Sequence, residues 1–174
     1  MKLTSLIVSL VLGASLVLIF EPFNYWFLSF FIPLSFYLLI KDKNVLESFV
    51  LGWFLGFGLW VFGIFWIENS IYFYGGASKI TSYFLVICLS AFLATISGIF
   101  FSFFAYCKTK TEFDILLLFP SIWVGTEWLR EFLFSGFPWF YLGYATLDNF
   151  FVSGFIPIFG VFGMSFILIF IPAL

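Results

Sequence analysis

Ile80-Thr-Ser-Tyr-Phe-Leu-Val-Ile-Cys-Leu-Ser-Ala-Phe-Leu-Ala-Thr-Ile-Ser-Gly-Ile-Phe-Phe-Ser-Phe-Phe-Ala-Tyr-Cys107 runs from Lys79 to Lys108 without a charged residue. As a helix rising ~1.5 Å per residue, this run outspans the ~30 Å hydrocarbon core of a bilayer. Its apolar residues are continuous and do not alternate, which argues against a barrel strand. A lysine at each end marks where water begins. The reading is a transmembrane helix.

Five similar runs surround it: Leu3–Phe20, Phe23–Ile40, Leu46–Ile67, Ile115–Phe134 and Val152–Leu174. Turn or charge signals separate them: Glu21-Pro22, Lys41-Asp42-Lys43-Asn44, Gly75-Gly76-Ala77-Ser78-Lys79, Lys108-Thr109-Lys110-Thr111-Glu112, and a Gly/Pro/aromatic stretch from Ser135 to Ser153. The expected fold class is therefore all-α, a polytopic transmembrane bundle of about six spans. The first run has no small-x-small cleavage site before Glu21-Pro22, so it reads as a retained span rather than a signal peptide.

Composition agrees. The chain has 174 residues, 64% hydrophobic and only 9% charged, with 31 Phe, 2 Cys and no His. Its mean hydropathy is +1.19. A soluble enzyme, a disordered tail and a disulfide scaffold are excluded. Nucleic acid is excluded as a partner for want of a basic stripe. Without histidine, neither a Cys-His nucleophile nor a His-ligated metal can form, and no metal or cofactor is expected. Cys88 and Cys107 are expected to be inert apolar residues.

Lysine placement sets the orientation. With the N-terminus in the cytoplasm, Lys2, Lys41, Lys43, Lys108 and Lys110 fall inside, against Lys79 and Arg130 outside. Ser135–Ser153 then lies on the outer face. The last run ends in Ile-Pro-Ala-Leu174 with no basic anchor, which suggests a truncated product.

Small residues line up on two runs. Gly52, Gly56 and Gly63 fall within about 40° on one helix side, and Ala91, Thr95, Gly98 and Ser102 do the same on another. Such lines let helices approach closely in lipid. The alternative is a groove for an acyl chain. Pro120 is expected to kink the fifth run.

That run also carries Glu127, Arg130 and Glu131. Glu127 and Arg130, spaced i and i+3, can pair and snorkel at the interface. They can also form a polar patch at the headgroup zone that holds a phosphate or an α-amine, Arg being suited to bidentate phosphate binding. Next come Gly136-Phe137-Pro138-Trp139 and Tyr144, either an aromatic belt or a fixed turn facing lipid.

Trp123-x-x-x-Glu127-Trp-Leu-Arg130, then Gly136-Phe-Pro-Trp139, then Gly143-Tyr144, resembles the membrane domain of bacterial apolipoprotein N-acyltransferases. Phe20-Glu-Pro-Phe-Asn-Tyr-Trp26, Gly52-Trp-Phe-Leu-Gly56-Phe-Gly58 with Trp66, and Pro157-Ile-Phe-Gly160-Val-Phe-Gly163-Met-Ser165-Phe resemble further family segments in order and spacing. Glu131 departs from the family's frequent Gly, and its carboxylate is expected to compete for Arg130.

The resemblance implies an enzyme of the bacterial inner membrane that moves an acyl chain from a phospholipid to the α-amine of a diacylglyceryl-cysteine lipoprotein. It also implies a nitrilase-like extracytoplasmic domain with a Glu-Lys-Cys triad, expected beyond residue 174. No residue here matches that triad, so no catalytic residue is assigned and residues 1–174 are expected to be inactive alone. Glu127, Arg130, Gly136, Phe137, Pro138, Trp139 and Tyr144 are expected to line the entrance for both lipid substrates. The alternative from the charge and helix pattern is a small transporter or channel subunit.

Overall fold

The computed structural model describes residues 1–133, 136–147 and 153–174. The expected span ends at Phe134 and Val152, and Ser135 at the start of the outer stretch, lie outside these residues. Seven α-helices and no strand occur among the described residues. They are α1 (Leu3–Leu16), α2 (Leu28–Ile40), α3 (Val45–Gly63), α4 (Ile67–Phe73), α5 (Lys79–Cys107), α6 (Phe119–Phe132) and α7 (Ile156–Phe170). Three helical stretches, Val45–Gly63, Lys79–Cys107 and Ile156–Ala173, are long and apolar enough to cross a membrane. Leu3–Ile19 and Leu28–Ile40 are shorter apolar helices.

Each expected run becomes helical, with local differences. The second starts late, because Phe23 to Phe27 form turns. The third breaks at Ile64, and α4 resumes as a separate short helix. Asn44 caps α3 by accepting from the Glu47 amide, and Ser78 caps α5 by accepting from the Thr81 amide. Each satisfies an amide that the first turn would otherwise leave orphaned. The kink expected at Pro120 is not where the irregularity lies. A π-helical turn at Asp114–Leu118 runs directly into α6, so Pro120, which has no N–H to give, lies just after the widened turn in a continuous helical stretch.

α3 is the central helix, packed between α1 and α5, while α6 packs on α5 and α7. The small-residue lines serve these contacts. A Cβ at Gly56 would lie 2.9 Å from Ala94 Cα, and one at Gly52 2.8 Å from the Phe101 ring. The acyl-groove reading of the Gly52–Gly56 line fails because α5 covers it. The closest approach involves Gly13 and Gly58 instead, where α1 and α3 cross. Between the helices, Phe36, Phe101, Phe104 and Phe119 are fully buried, with the Phe36 and Phe101 rings edge-to-face at 4.8 Å. Aromatic pairs in such geometry add about 0.5–1.5 kcal/mol beyond area burial.

One end of the bundle gathers the lysine-rich turns. Lys108 Nζ donates to the carbonyls of Lys41 and Lys43, and the N-terminal ammonium lies 3.7 Å from Glu47. Asp114 accepts from the amides of Thr109 and Lys110 at 2.8 and 2.7 Å. The opposite end carries the described residues of the loop after α6. Cys88 is exposed on α5 and Cys107 is half-buried.

Candidate functional site

The site grows from one turn of α6. Trp123, Thr126, Glu127 and Arg130 share a helix face, at spacings of three and four residues, and all are buried. Glu127 is 1% exposed and Arg130 is 5% exposed. Neither snorkels, contrary to the sequence expectation. They form no ion pair with each other. Both turn to the backbone of the following loop instead.

Glu127 Oε1 accepts from the Leu142 amide at 2.8 Å and from Trp123 Nε1 at 3.2 Å. Its other oxygen, Oε2, is buried without a hydrogen-bond partner among the described residues, with the Ser165 hydroxyl close to the carboxyl. Arg130 donates from Nε to the Thr126 carbonyl at 3.1 Å and from Nη1 to the Trp139 carbonyl at 2.7 Å. Its guanidinium lies 4.9 Å from the Trp60 ring centroid and 5.2 Å from that of Tyr141. A buried charge costs several kcal/mol unless compensated. Here carbonyl acceptors and two aromatic faces compensate the arginine.

A third tie comes from α7. The Gly143 amide donates to Ser165 Oγ at 2.8 Å. A Cβ on Gly143 would lie 2.1 Å from the Val161 carbonyl oxygen, so only glycine fits. Gly160 leaves helical geometry at φ 66°, which breaks α7 one residue before Val161. Trp139, Leu142 and Gly143 are thus fastened to α6 and α7. Ser165→Ala should orphan the Gly143 amide and lower stability by about 1–2 kcal/mol, read as a fall in the unfolding midpoint in detergent.

The loop adopts a shape that sequence only partly declared. Gly136 takes φ 94°, and the Phe137 amide donates to the Arg130 carbonyl at 2.7 Å. Phe140 holds φ 58°, a strained value for a bulky residue. Its ring fills the space above Gly63, where a Cβ would meet it at 2.7 Å, and packs 5.1 Å from Phe20 and 5.9 Å from Trp60. Trp139 is 41% exposed and lies 5.2 Å from Trp66. Phe137 packs on Trp60 at 5.4 Å.

Of the expected residues, Glu127, Arg130, Phe137 and Trp139 come together, with Gly136 forming the turn between them. Pro138 is exposed at the tip. Tyr144 stands one layer away, stacked on Tyr141 at 5.5 Å. Glu131 does not compete for Arg130; its carboxylate accepts from the Tyr141 hydroxyl at 2.8 Å. Burial, then that carboxylate, push the Tyr141 phenol far above its usual pKa, so it remains a donor. Sequence reasoning did not assign Trp60, Tyr141 and Ser165 to the site. Ser165 stood in a quoted motif, but nothing in the sequence paired it with Gly143. Trp60 is one of many aromatics.

Glu127 and Arg130, with Ser97, Thr126 and Trp123, line a central cavity of about 30 Å³. That is room for about two waters, with polar partners present.

A family model described as the apolipoprotein N-acyltransferase N-terminal domain matches residues 12–174. The chain belongs to this family. Apolipoprotein N-acyltransferases similar to it include that of Coxiella burnetii, 37% identical over 169 residues, covering 95% of this chain and 34% of the relative. That of Pasteurella multocida is 34% identical over 172 residues, covering 99% and 32%. That of Photobacterium profundum is 35% identical over 174 residues, covering 98% and 33%. The chain therefore spans about a third of the length of these apolipoprotein N-acyltransferases.

Proposed function

We propose that residues 1–174 are the lipid-admitting membrane platform of an apolipoprotein N-acyltransferase. The enzyme transfers an acyl chain from a phospholipid to the α-amine of a diacylglyceryl-cysteine lipoprotein. The observation that carries this reading is the fastened outer loop. Buried Glu127 and Arg130 hold its backbone while Pro138 and Trp139 stay exposed. Hydrogen bonds made inside the bundle fix a surface that meets lipid outside it. Such a platform orients and retains substrates, and its share of the rate is proximity rather than bond chemistry. Gly136, Phe137 and Tyr144 shape the same entrance.

The platform crosses the inner membrane with about six spans and a cytoplasmic N-terminus. The gathering of Lys41, Lys43 and Lys108 at one end, away from the outer loop, supports this orientation. The bond chemistry belongs to a separate nitrilase-like domain of the enzyme. Purified residues 1–174, given phospholipid and a diacylglyceryl lipopeptide, are expected to form no N-acyl product. In the full-length enzyme, Trp139→Ala is expected to lower N-acylation by about tenfold with folding unchanged. Acylation by residues 1–174, or full activity in that variant, would contradict the reading.

A further inference from the structure

Around the central cavity, three polar side chains from two helices keep hydrogen-bonding capacity that no protein group takes up. On α5, Ser90 and Thr95 donate to the carbonyls four residues back, and Ser102 to the one three back. Ser97 stands among them and lines the cavity, yet its hydroxyl makes no hydrogen bond among the described residues. On α6, Glu127 lines the same cavity, and its Oε2 is buried without a partner. Arg130 lines it too. Its Nε and Nη1 are bound to carbonyls, and among the described residues no acceptor takes Nη2. Native folds rarely leave buried polar groups unsatisfied, and three of them around one void call for a shared partner.

The void limits what that partner is. Its volume of about 30 Å³ admits about two waters and is far too small for a lipid tail. A metal ion would sit beside the Arg130 guanidinium with a single carboxylate to hold it. Water can donate to Oε2, accept from the guanidinium and do either with the Ser97 hydroxyl. Gly56 leaves space for this on the α3 side, since a Cβ there would lie 2.9 Å from Ser97 Oγ. Counting ~1.5 Å per residue from Lys108, Ser97 lies about 16 Å along α5, near the middle of a ~30 Å hydrocarbon core. Lipid supplies no water at that depth, so buried polar groups there need partners held inside the bundle.

We infer that the central cavity is a built site for two structural waters, held by Ser97, Glu127 Oε2 and Arg130, which bridge the carboxylate to the guanidinium. Bonds relayed by water are nearly as favourable in enthalpy as direct ones. The two charged groups thereby satisfy each other without a direct ion pair. Ser97 becomes a positioning residue of the loop after α6. It acts through the waters on Glu127, which holds the Leu142 amide. The inference rests on the fold and the cavity, so it stands or falls apart from the proposed function.

Radiolytic footprinting tests it. A brief X-ray exposure splits water where it lies, and the hydroxyl radicals oxidise side chains beside a bound water that bulk solvent never meets. Phe101 lines the cavity, whereas Phe36 and Phe104 are as fully buried and do not. With residues 1–174 in nanodiscs, Phe101 is expected to be oxidised at least about fivefold faster than Phe36 and Phe104, as read by mass spectrometry. Ser97→Ala is expected to slow oxidation of Phe101 by about threefold and to quicken hydrogen exchange at Leu142 by about fivefold. Ser90→Ala removes a hydroxyl from the same helix away from the cavity, and is expected to change neither.

Equal oxidation of Phe36, Phe101 and Phe104 in the unaltered chain would overturn the inference, whatever the variants do. So would unchanged oxidation of Phe101 in Ser97→Ala. An equal fall in Ser97→Ala and Ser90→Ala would also overturn it, because general loosening of α5 would then explain both.

Discussion

Gly58→Ala is expected to destabilise the protein by about 3 kcal/mol or more, at the top of the range for an overpacked contact. The added Cβ would lie 2.3 Å from the Leu10 carbonyl oxygen and 2.8 Å from the Ala14 nitrogen. Both are backbone atoms, so no side chain can swing aside. Gly13 faces the same crossing from the other helix, with a Cβ only 1.9 Å from the Leu55 carbonyl oxygen. Relief requires α1 and α3 to part, and Ser9, which donates to the Leu51 carbonyl at 2.5 Å, would lose its acceptor. Lipid offers no hydrophobic drive to close the gap again, because the exposed faces are equally content in hydrocarbon. Gly154 supplies the control. A Cβ there meets nothing within 4 Å, and Gly154→Ala should stay within about 0.5 kcal/mol. Unfolding midpoints in detergent compare the two. Equal midpoints would show that the crossing is looser than described.

Glu127→Ala is the second large effect. It leaves the Leu142 amide and the Trp123 indole without their acceptor, in a site closed to bulk water. It also removes the carboxyl that lies one helical turn before the buried Arg130 guanidinium. Orphaned buried donors cost about 1–3 kcal/mol each, and a stranded buried charge adds to this. A loss of about 3 kcal/mol is expected, concentrated on the loop. Hydrogen exchange at Leu142 and Gly143 should quicken by about a hundredfold. Glu127→Gln keeps an acceptor oxygen and should show a much smaller change. Unchanged exchange in the alanine variant would mean that the loop is held by its aromatic packing instead.

The helices were legible because their cause is local. Long uncharged runs, Asn44 and Ser78 at helix starts, and lysines in the turns are all visible residue by residue. The break at Ile64 and the π turn at Asp114–Leu118 were not, since the apolar runs continue through or beside them. The gathering of Glu127, Arg130, Phe137 and Trp139 was legible from spacing and motif, but their arrangement was misread. Spacing put Glu127 and Arg130 on one face and suggested that they pair at the interface. Their partners in the loop are backbone groups of Trp139 and Leu142, and a backbone carbonyl or amide leaves no signature in the residue type. Similarly, Gly13 and Gly58 look like any other glycines until α1 and α3 cross. The resemblance to apolipoprotein N-acyltransferases singled out the stretch whose residues gather around Glu127 and Arg130, whereas composition had narrowed the protein only to membrane proteins.

The fastened loop after α6 is the proposed meeting place of lipid substrates and this platform. A photoreactive phenylalanine analogue placed at position 139 tests it most directly, with the same analogue at position 106 for comparison. Tyr106 is 78% exposed and lies at the lysine-rich end of α5. In nanodiscs containing a diacylglyceryl-cysteine peptide in both leaflets, position 139 is expected to cross-link the peptide at least about fivefold more than position 106. Equal cross-linking at both positions, or a preference for position 106, would contradict the account.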